Sequence, residues 1–506
     1  MSENQNLIRL GKKLSRLRIK NKKIGICHGV FDILHPGHIS YFQEAKKKVD
    51  FLIVSLTTDR FIRKGPGRPF FTLKQRKRSL ESLSCIDYVL ESDFETAVEI
   101  INFIKPNFYI KGPDYKNLNQ DISKNLKKEI TAVKKINGKF ITTNSEVFSS
   151  SKIINSSFGI FDNAQTNFIK KIRKKYSLID IENVFKKIKK ISTLVVGETI
   201  LDHYVFCEAM GKSGKEPSLA FKKGNENIFL GGAAVVANNL SSFCKKIDLI
   251  SYIGEKNESL SFINKSRPKN CKYFFINKKS SPTIVKKRYV DPISNTKVFS
   301  VYNINDLELN KSQNKTLLRI IKKRLPKSNL TICLDYGHGL INQSMSKHLS
   351  KNSNFFSLNA QINSANVGFH PLDKHFSANC LIINETELRY ELRNRDENIE
   401  NLIKTLSLKR KFEIIIVTRG NSGSVLYKTK TKEFIFCPAF QKNYKDKVGA
   451  GDTFLYIFSI FYYVSKCHEL SLFMATISAG ENIKFFANSM DFNDNLLLKT
   501  ISHILK

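Results

Sequence analysis

Between residues 24 and 112 the chain alternates short, nearly unbroken apolar runs with amphipathic stretches. KIGICHGVF opens the series, and a helical pattern starts at 37. FLIVSLTT (51–58), a helical pattern from 72, CIDYVLE, a third helical pattern through 94–104 and NFYIKG (107–112) follow. Strands that are apolar on both faces belong to parallel sheets covered by helices, so this series predicts a doubly wound α/β domain. A second series begins at 193 with TLVVGETIL and continues through IDLISYIG, LTICLDYG, NCLIIN, EIIIVTRG, GSVLYK and EFIFCPAF. Within it, TIVKKRYV and TKVFSVYN flank an Asp-Pro-Ile-Ser-Asn turn and predict a β-hairpin. Residues 159–191 carry apolar positions at helical spacing between lysine clusters, which predicts one or two surface helices joining the domains. Helices are expected from about Ala450 onward. The pattern therefore divides the chain into a domain over 1–158, a helical linker over 159–191 and a second domain over 192–506.

Composition agrees with that division. The 506 residues exceed one ordinary core at roughly 100–200 residues per domain. An apolar fraction of 41 % with 38 Phe and 17 Tyr excludes a disordered or fibrous chain. The net charge of +38 would suit a polyanion-binding surface. However, the lysine runs (Lys46–Lys48, Lys186-Lys187, Lys245-Lys246, Lys322-Lys323) are spread along the whole chain. That spread reads as solvated faces and compositional drift, so neither a nucleic acid nor a membrane surface is expected as a partner. Nine cysteines form no C-x-x-C pair and sit mostly in apolar runs, the pattern of small buried hydrophobes in a reducing compartment. The basic N-terminal stretch lacks a signal-peptide core, and the longest apolar run, Phe454 to Val464, falls short of the roughly 20 residues of a membrane span. A cytoplasmic protein is expected.

The first candidate site follows the first strand. Gly29-Val30-Phe31-Asp32-Ile33-Leu34-His35-Pro36-Gly37-His38 runs from a strand end into a helix. Spacing of three puts His35 and His38 on one helical face, Pro36 suits the first turn, and Gly37 allows close backbone approach. A helix N-terminus with two imidazoles is suited to neutralising a phosphoryl centre as it becomes five-coordinate.

With these residues stand Lys64, Arg68, Pro69 and Arg76, IKGPDY (110–115) and SSSKII (149–154), and together residues 22–155 resemble the cytidylyltransferase-type nucleotidyltransferases. The likeness is strongest to the adenylyltransferase half of the bifunctional heptose-phosphate kinase/adenylyltransferases. The resemblance implies that His35 and His38 stabilise the α-phosphate in the transition state and that Lys64 contacts phosphate. It also implies that Ser150 and Ser151 hold the leaving pyrophosphate. Gly29, Phe31, Asp32 and Arg76 complete the expected nucleotide and phosphate contacts, with Asp32 orienting nearby backbone or sugar groups. Asp114 is expected near the sugar, although Pro113 departs from the Gly-Gly-Asp-Tyr pattern of the heptose enzymes.

The second candidate site is Lys447-Val448-Gly449-Ala450-Gly451-Asp452-Thr453-Phe454, which opens an apolar helix. Gly449, Ala450 and Gly451 can present successive N–H groups as an anion hole, and Asp452 can accept the proton of an attacking hydroxyl. Other pieces in matching order make residues 193–506 resemble the ribokinase-type (PfkB) carbohydrate kinases. That resemblance implies a second doubly wound α/β domain in which the hairpin 284–303 serves as a β-lid. It places Asp202 of VVGETILD and the Gly231-Gly232 pair at the sugar. Asn384 and Glu387 of an N-x-x-E would organise Mg²⁺ indirectly, and Thr418, Gly420 and Gly423 would lie on the nucleotide side. The chain departs from the heptose kinases at Val235, Asn359-Ala360-Gln361 and Val448, each change removing a polar contact, and it places the kinase-like half second.

The expected function is bifunctional activated-sugar synthesis: ATP-dependent phosphorylation of a sugar or sugar phosphate, and nucleotidyl transfer to a sugar 1-phosphate giving an ADP-heptose-like product. The alternative is a CTP-dependent enzyme making a CDP-polyol, with the second domain divergent or a non-catalytic sugar-binding module. Mg²⁺, ATP or CTP, a sugar phosphate and a homodimeric assembly are the expected cofactor, substrates and partner.

Overall fold

In the first series each apolar run forms a strand. The computed structural model describes residues 3–115, 125–144, 159–256, 259–368, 372–487, 489 and 492–505. β1 (Ile24–Gly29), β2 (Phe51–Thr57), β3 (Tyr88–Ser92), β4 (Phe108–Lys111) and β5 (Lys139–Thr142) make one parallel sheet in the order β3-β2-β1-β4-β5. Alternate residues face opposite helical layers. Ile24, Ile26 and Ile53 pack on one side with Leu10 and Leu14 of the first helix, while Cys27, Leu52 and Val54 pack on the other with Phe42. Each fully buried side chain of this size contributes about 1.5–3 kcal/mol. The strand order reverses between β1 and β4, so a crevice opens at their carboxyl ends, beside His28-Gly29 and Lys111.

The second series gives a larger, mixed arrangement. Its main sheet contains β6 (Ser192–Gly197), β9 (Lys246–Gly254), β10 (Cys271–Lys278), β13 (Leu330–Asp335), β14 (Phe356–Ala360), β15 (Ser377–Asn384), β16 (Lys411–Thr418), β17 (Ser424–Lys428) and β18 (Glu433–Cys437). The order is β10-β9-β6-β13-β14-β15-β16-β17-β18, parallel up to β16 and antiparallel beyond it. A separate four-stranded sheet, β12-β11-β7-β8, is built from β7 (Thr199–Lys212), β8 (Leu219–Gly231), β11 (Ile284–Val290) and β12 (Lys297–Asn303). The expected hairpin is the antiparallel β11–β12 pair of that sheet. Sequence patterning identified the hairpin but not the long β7–β8 ribbon, whose exposed half lacks a buried face to mark it.

The domain boundaries differ from those expected. One compact unit is Met1–Asp162 with Asn495–Lys506, and the other is Asn163–Asp494. The stretch expected as a linker forms two helices, Asn163–Lys175 and Leu178–Ile188, that belong to the second unit. Their apolar faces are spent there: Ile181, Val184 and Ile188 are buried, and the Phe185 ring meets Phe461 edge-on at 5.1 Å. The last helix, Asp494–Ile504, falls in the first unit from Asn495 onward. Helical periodicity shows that one face is buried but not which core receives it. Among the described residues no helix is long and apolar enough to cross a membrane.

One turn in the main sheet depends on glycine. Gly423 has φ +81°, and a Cβ there would lie 2.1 Å from the Cys437 carbonyl oxygen of the paired strand. Gly423→Ala is expected to destabilise the second unit by about 2 kcal/mol or more, read as a lower urea midpoint; an unchanged midpoint would contradict this account of the turn.

Candidate active sites

His35 caps the helix Pro36–Lys46. Its backbone is extended, and its Nδ1 accepts the His38 backbone N–H at 3.3 Å. With Nδ1 committed as acceptor, the neutral ring carries its proton on Nε2. The two imidazoles stack at 3.8 Å between centroids, and the Phe31 ring meets His38 edge-on at 5.4 Å. Burial, with the nearby His35 and the Lys64 charge, holds His38 down to about 3, so it is neutral at physiological pH. Burial lowers His35 as well, and the Lys64 charge again contributes. Among the described residues His38 Nδ1 is buried without a hydrogen-bond partner. His35, His38 and Lys64 are thus brought together. Ser150 and Ser151 lie outside the described residues.

The neighbours of this pair make defined contacts within the protein. Gly29 makes room for the Phe31 ring, since a Cβ there would lie 2.9 Å from Phe31 Cζ, and Phe31 itself sits at φ +46°. Asp32 is nearly inaccessible, and its carboxylate accepts the Phe70 N–H at 2.8 Å and the Phe71 N–H at 3.0 Å. It fixes the 68–71 loop, with the Arg68 guanidinium 3.7 Å away, rather than addressing a sugar. Arg76, expected at phosphate, is 1 % exposed. It donates to the carbonyls of Val30 (2.6 Å), Thr57 (3.0 Å) and Phe71 (3.1 Å) and to Asp59 (2.6 Å), so it ties three loops together. Asp114 is exposed on a single turn, Pro113–Tyr115, after β4.

The second site gathers at the carboxyl ends of the main-sheet strands. Asp202, on β7, receives a hydrogen bond from Arg288 of the adjacent β11. The Gly231-Gly232 pair is required by close approach: a Cβ would lie 2.4 Å from Asp202 Oδ2 at the first and 2.3 Å from the Glu198 carbonyl oxygen at the second. Gly449, at φ +80°, caps the helix Ala450–Ser465, whose first-turn N–H groups have no intrahelical acceptors. Asp452 stands in that first turn. Burial pushes its carboxyl up to about 6, the Tyr336 hydroxyl opposing and the Asp202 charge adding to the rise. The Lys286 charge also acts on Asp452, which brings the lid strand β11 into the site.

Asn384 and Glu387 form a capping box, with Asn384 Oδ1 accepting the Glu387 N–H and Glu387 Oε2 accepting the Asn384 N–H, both at 2.8 Å. Burial raises Glu387 to about 7, and the Asp452 charge contributes to the rise. Thr418 is paired with Asn384 at the ends of β16 and β15, followed by the Gly420–Ser422 turn and Gly423. Asn359, one of the departures, donates to the Ile382 carbonyl at 2.8 Å and so braces neighbouring strands.

Two carboxylates were not singled out in the sequence. Glu198, directly after β6, is fully buried and accepts the N–H groups of Tyr336 (3.0 Å), His338 (3.2 Å) and Leu340 (3.2 Å). Asp446 accepts the Tyr204 hydroxyl (3.1 Å), Lys297 Nζ (2.6 Å) and the N–H groups of Val448 (3.2 Å) and Ala487 (3.1 Å). It ties lid strands β7 and β12 to the loop that leads into the Gly449 helix end. Glu198 lies inside VVGETILD and Asp446 three residues before Gly449, so proximity to a motif was the only available signal.

Fold and site geometry thus define two α/β units, each with a helix N-terminus at its candidate site. Residues 190–455, more than half of the chain, match the pfkB family carbohydrate kinases, and the chain belongs to that family. Residues 26–156 match the description Cytidylyltransferase-like. The bifunctional protein HldE of Helicobacter pylori (strain Shi470) is 42 % identical over 113 residues, 22 % of this chain and 24 % of that protein. HldE of Helicobacter hepaticus is 39 % identical over 137 residues, 27 % of this chain and 28 % of that protein. The matched part therefore spans only about a quarter of these relatives. A ribokinase structure from Thermotoga maritima aligns with TM-score 0.48 and 18 % identity, covering 62 % of this chain and 99 % of that one.

Because Asp452 must be ionised to accept a proton, kcat/KM for phosphoryl transfer is expected to fall tenfold per pH unit below about 6 and to level off above it. A profile flat from pH 5 to 8 would contradict the assignment of Asp452 as base.

Proposed function

We propose that the chain carries two activities of activated-sugar synthesis. In the second unit a sugar hydroxyl attacks the γ-phosphorus of ATP, its proton passes to Asp452, and ADP leaves. The Gly449–Gly451 N–H groups stabilise the charge on the transferring phosphoryl group. The observation that carries this reading is the placement of Asp452, raised toward neutrality, in the first turn of the Gly449-capped helix and within reach of the charges of Asp202 and Lys286.

In the first unit an oxygen of a sugar 1-phosphate attacks the α-phosphorus of a nucleoside triphosphate and pyrophosphate leaves. The stacked His35–His38 pair and Lys64 would stabilise the five-coordinate centre, and no covalent intermediate is needed. Asp32 and Arg76 act behind them by fixing the loops. The similarity of this segment to HldE supports an ADP-heptose-like product, with ATP as nucleotide donor and Asp114 near the sugar.

Mg²⁺ would neutralise phosphate charge. Each Glu387 carboxylate oxygen accepts one backbone N–H, from Ile362 or Asn384, and keeps a lone pair for an ordered water. Glu387 and Asn384 therefore fit an indirect role toward the ion. Thr418, Gly420 and Gly423 would line the nucleotide side. The exposed Val298, Phe299 and Val301 of β12 support a homodimer that covers the lid. Free, mostly buried cysteines support a cytoplasmic setting.

The two activities are separable by substitution. Asp452→Asn is expected to lower sugar-dependent ADP formation by 10³-fold or more while leaving pyrophosphate release within twofold. His35→Ala should do the reverse. An Asp452→Asn chain that phosphorylates sugar at the normal rate would sink the kinase reading and favour a sugar-binding module.

A further inference from the structure

The helix Asp494–Ile504 lies beyond both matched ranges, 26–156 and 190–455, and neither proposed activity uses it. From Asn495 onward it nevertheless belongs to the first unit. Leu496, Leu497, Thr500, Ile501 and Ile504 are buried. Two of these reach the loop that carries Lys64. A Cβ on Gly65 would lie 3.1 Å from Ile504 Cγ1 and 3.7 Å from Thr500 Cγ2, so the helix seats directly on that backbone. Gly65 has φ +96°, and Gly67 has φ +66° with Ile160 Cγ2 only 2.9 Å from the site of a Cβ. The loop is thus held at two left-handed glycines, each against an isoleucine from a distant part of the chain.

The same helix brings a cation toward the strand ends. The charge of Lys499 acts on Glu95, Glu129, Lys111 and Arg63, and on the imidazole of His28. Lys111 ends β4 and His28 is the penultimate residue of β1, the two strands between which the sheet order reverses.

We propose that the helix Asp494–Ile504 positions the Lys64 loop of the nucleotidyl-transfer site, with Ile504 and Thr500 as positioning residues for chemistry at His35 and His38. Nucleotidyl transfer by residues 24–154 therefore requires a segment that follows the kinase domain in sequence. Placing Lys64 beside the imidazole pair fixes a positive charge where negative charge builds on the α-phosphate, and the two left-handed glycines contribute no side chain to anchor the loop. The inference rests on the nucleotidyl-transfer reading for its catalytic consequence, whereas the brace itself is tested without activity.

The test compares the full chain with its Ile504→Ala and Ile504→Val variants. Limited trypsin digestion reads the loop through cleavage after Arg63 and Lys64. Cleavage there is expected to be at least fivefold faster in Ile504→Ala and intermediate in Ile504→Val; rates equal to the unmodified chain would overturn the proposal. In pyrophosphate release, Ile504→Ala should lower kcat/KM about tenfold with phosphoryl transfer unchanged within twofold. In a Lys64→Ala background it should lower it by less than twofold further. A tenfold loss in both backgrounds would mean that Ile504 acts on general stability and not through Lys64, and would also overturn the proposal. Should Ile504→Ala fail to fold, the milder Ile504→Val carries the same comparisons. No pyrophosphate release from the unmodified chain would defeat the nucleotidyl-transfer reading alone, and the trypsin comparison would still decide the brace.

Discussion

A charge buried beside the carboxyl end of a parallel sheet must be matched by dipoles that the protein itself supplies, because water is excluded there. In this chain that constraint shapes both sites. Arg76 gathers the carbonyls of Val30, Thr57 and Phe71, and Asp32 gathers the N–H groups of Phe70 and Phe71. Glu198 gathers three N–H groups between Tyr336 and Leu340, and Asp446 joins two lid strands to the loop before Gly449. None of these charges needs to touch a substrate. Each converts a flexible connection into a fixed one.

The two sites solve one problem with different chemistry. Both place the N-terminus of a helix at the candidate site, an arrangement suited to an anion. The first adds a stacked imidazole pair kept neutral by burial, which can donate hydrogen bonds without a standing charge. The second adds a carboxylate raised toward neutrality, which can take a proton from a hydroxyl. The net charge of +38 is needed for neither site beyond a few residues, Lys64, Lys286 and Arg288 among them. Much of the rest lies on solvated faces, whereas Arg68, Arg76, Lys111 and Lys278 are buried.

Much of this was legible in the sequence where chemistry and local spacing coincide. HxGH gives a stacked pair because the N-cap His35 side chain turns back over the first helical turn to accept the His38 N–H, and Gly-Ala-Gly-Asp gives a helix end because a left-handed glycine opens it. Arg76 is expected at phosphate because it sits in a motif, whereas Asp32, expected at backbone or sugar groups, holds backbone. Whether a charged side chain faces a ligand or a neighbouring loop depends on residues up to 46 positions away. Glu198 and Asp446 were missed for the same reason. The helix Asp494–Ile504 shows the limit most clearly, since its apolar periodicity is local and the core that receives it is not.

Reversed domain order is compatible with both chemistries, because each site is built from strand ends and helix ends of its own unit. Only the last helix crosses that division in sequence. The central claim, that the first unit transfers a nucleotidyl group to a sugar phosphate, is tested most directly by pyrophosphate release from the unmodified chain with ATP and with CTP over a panel of sugar 1-phosphates. Release is expected to require both ATP and a heptose 1-phosphate-like acceptor. Absence of release with either nucleotide and every acceptor would contradict it.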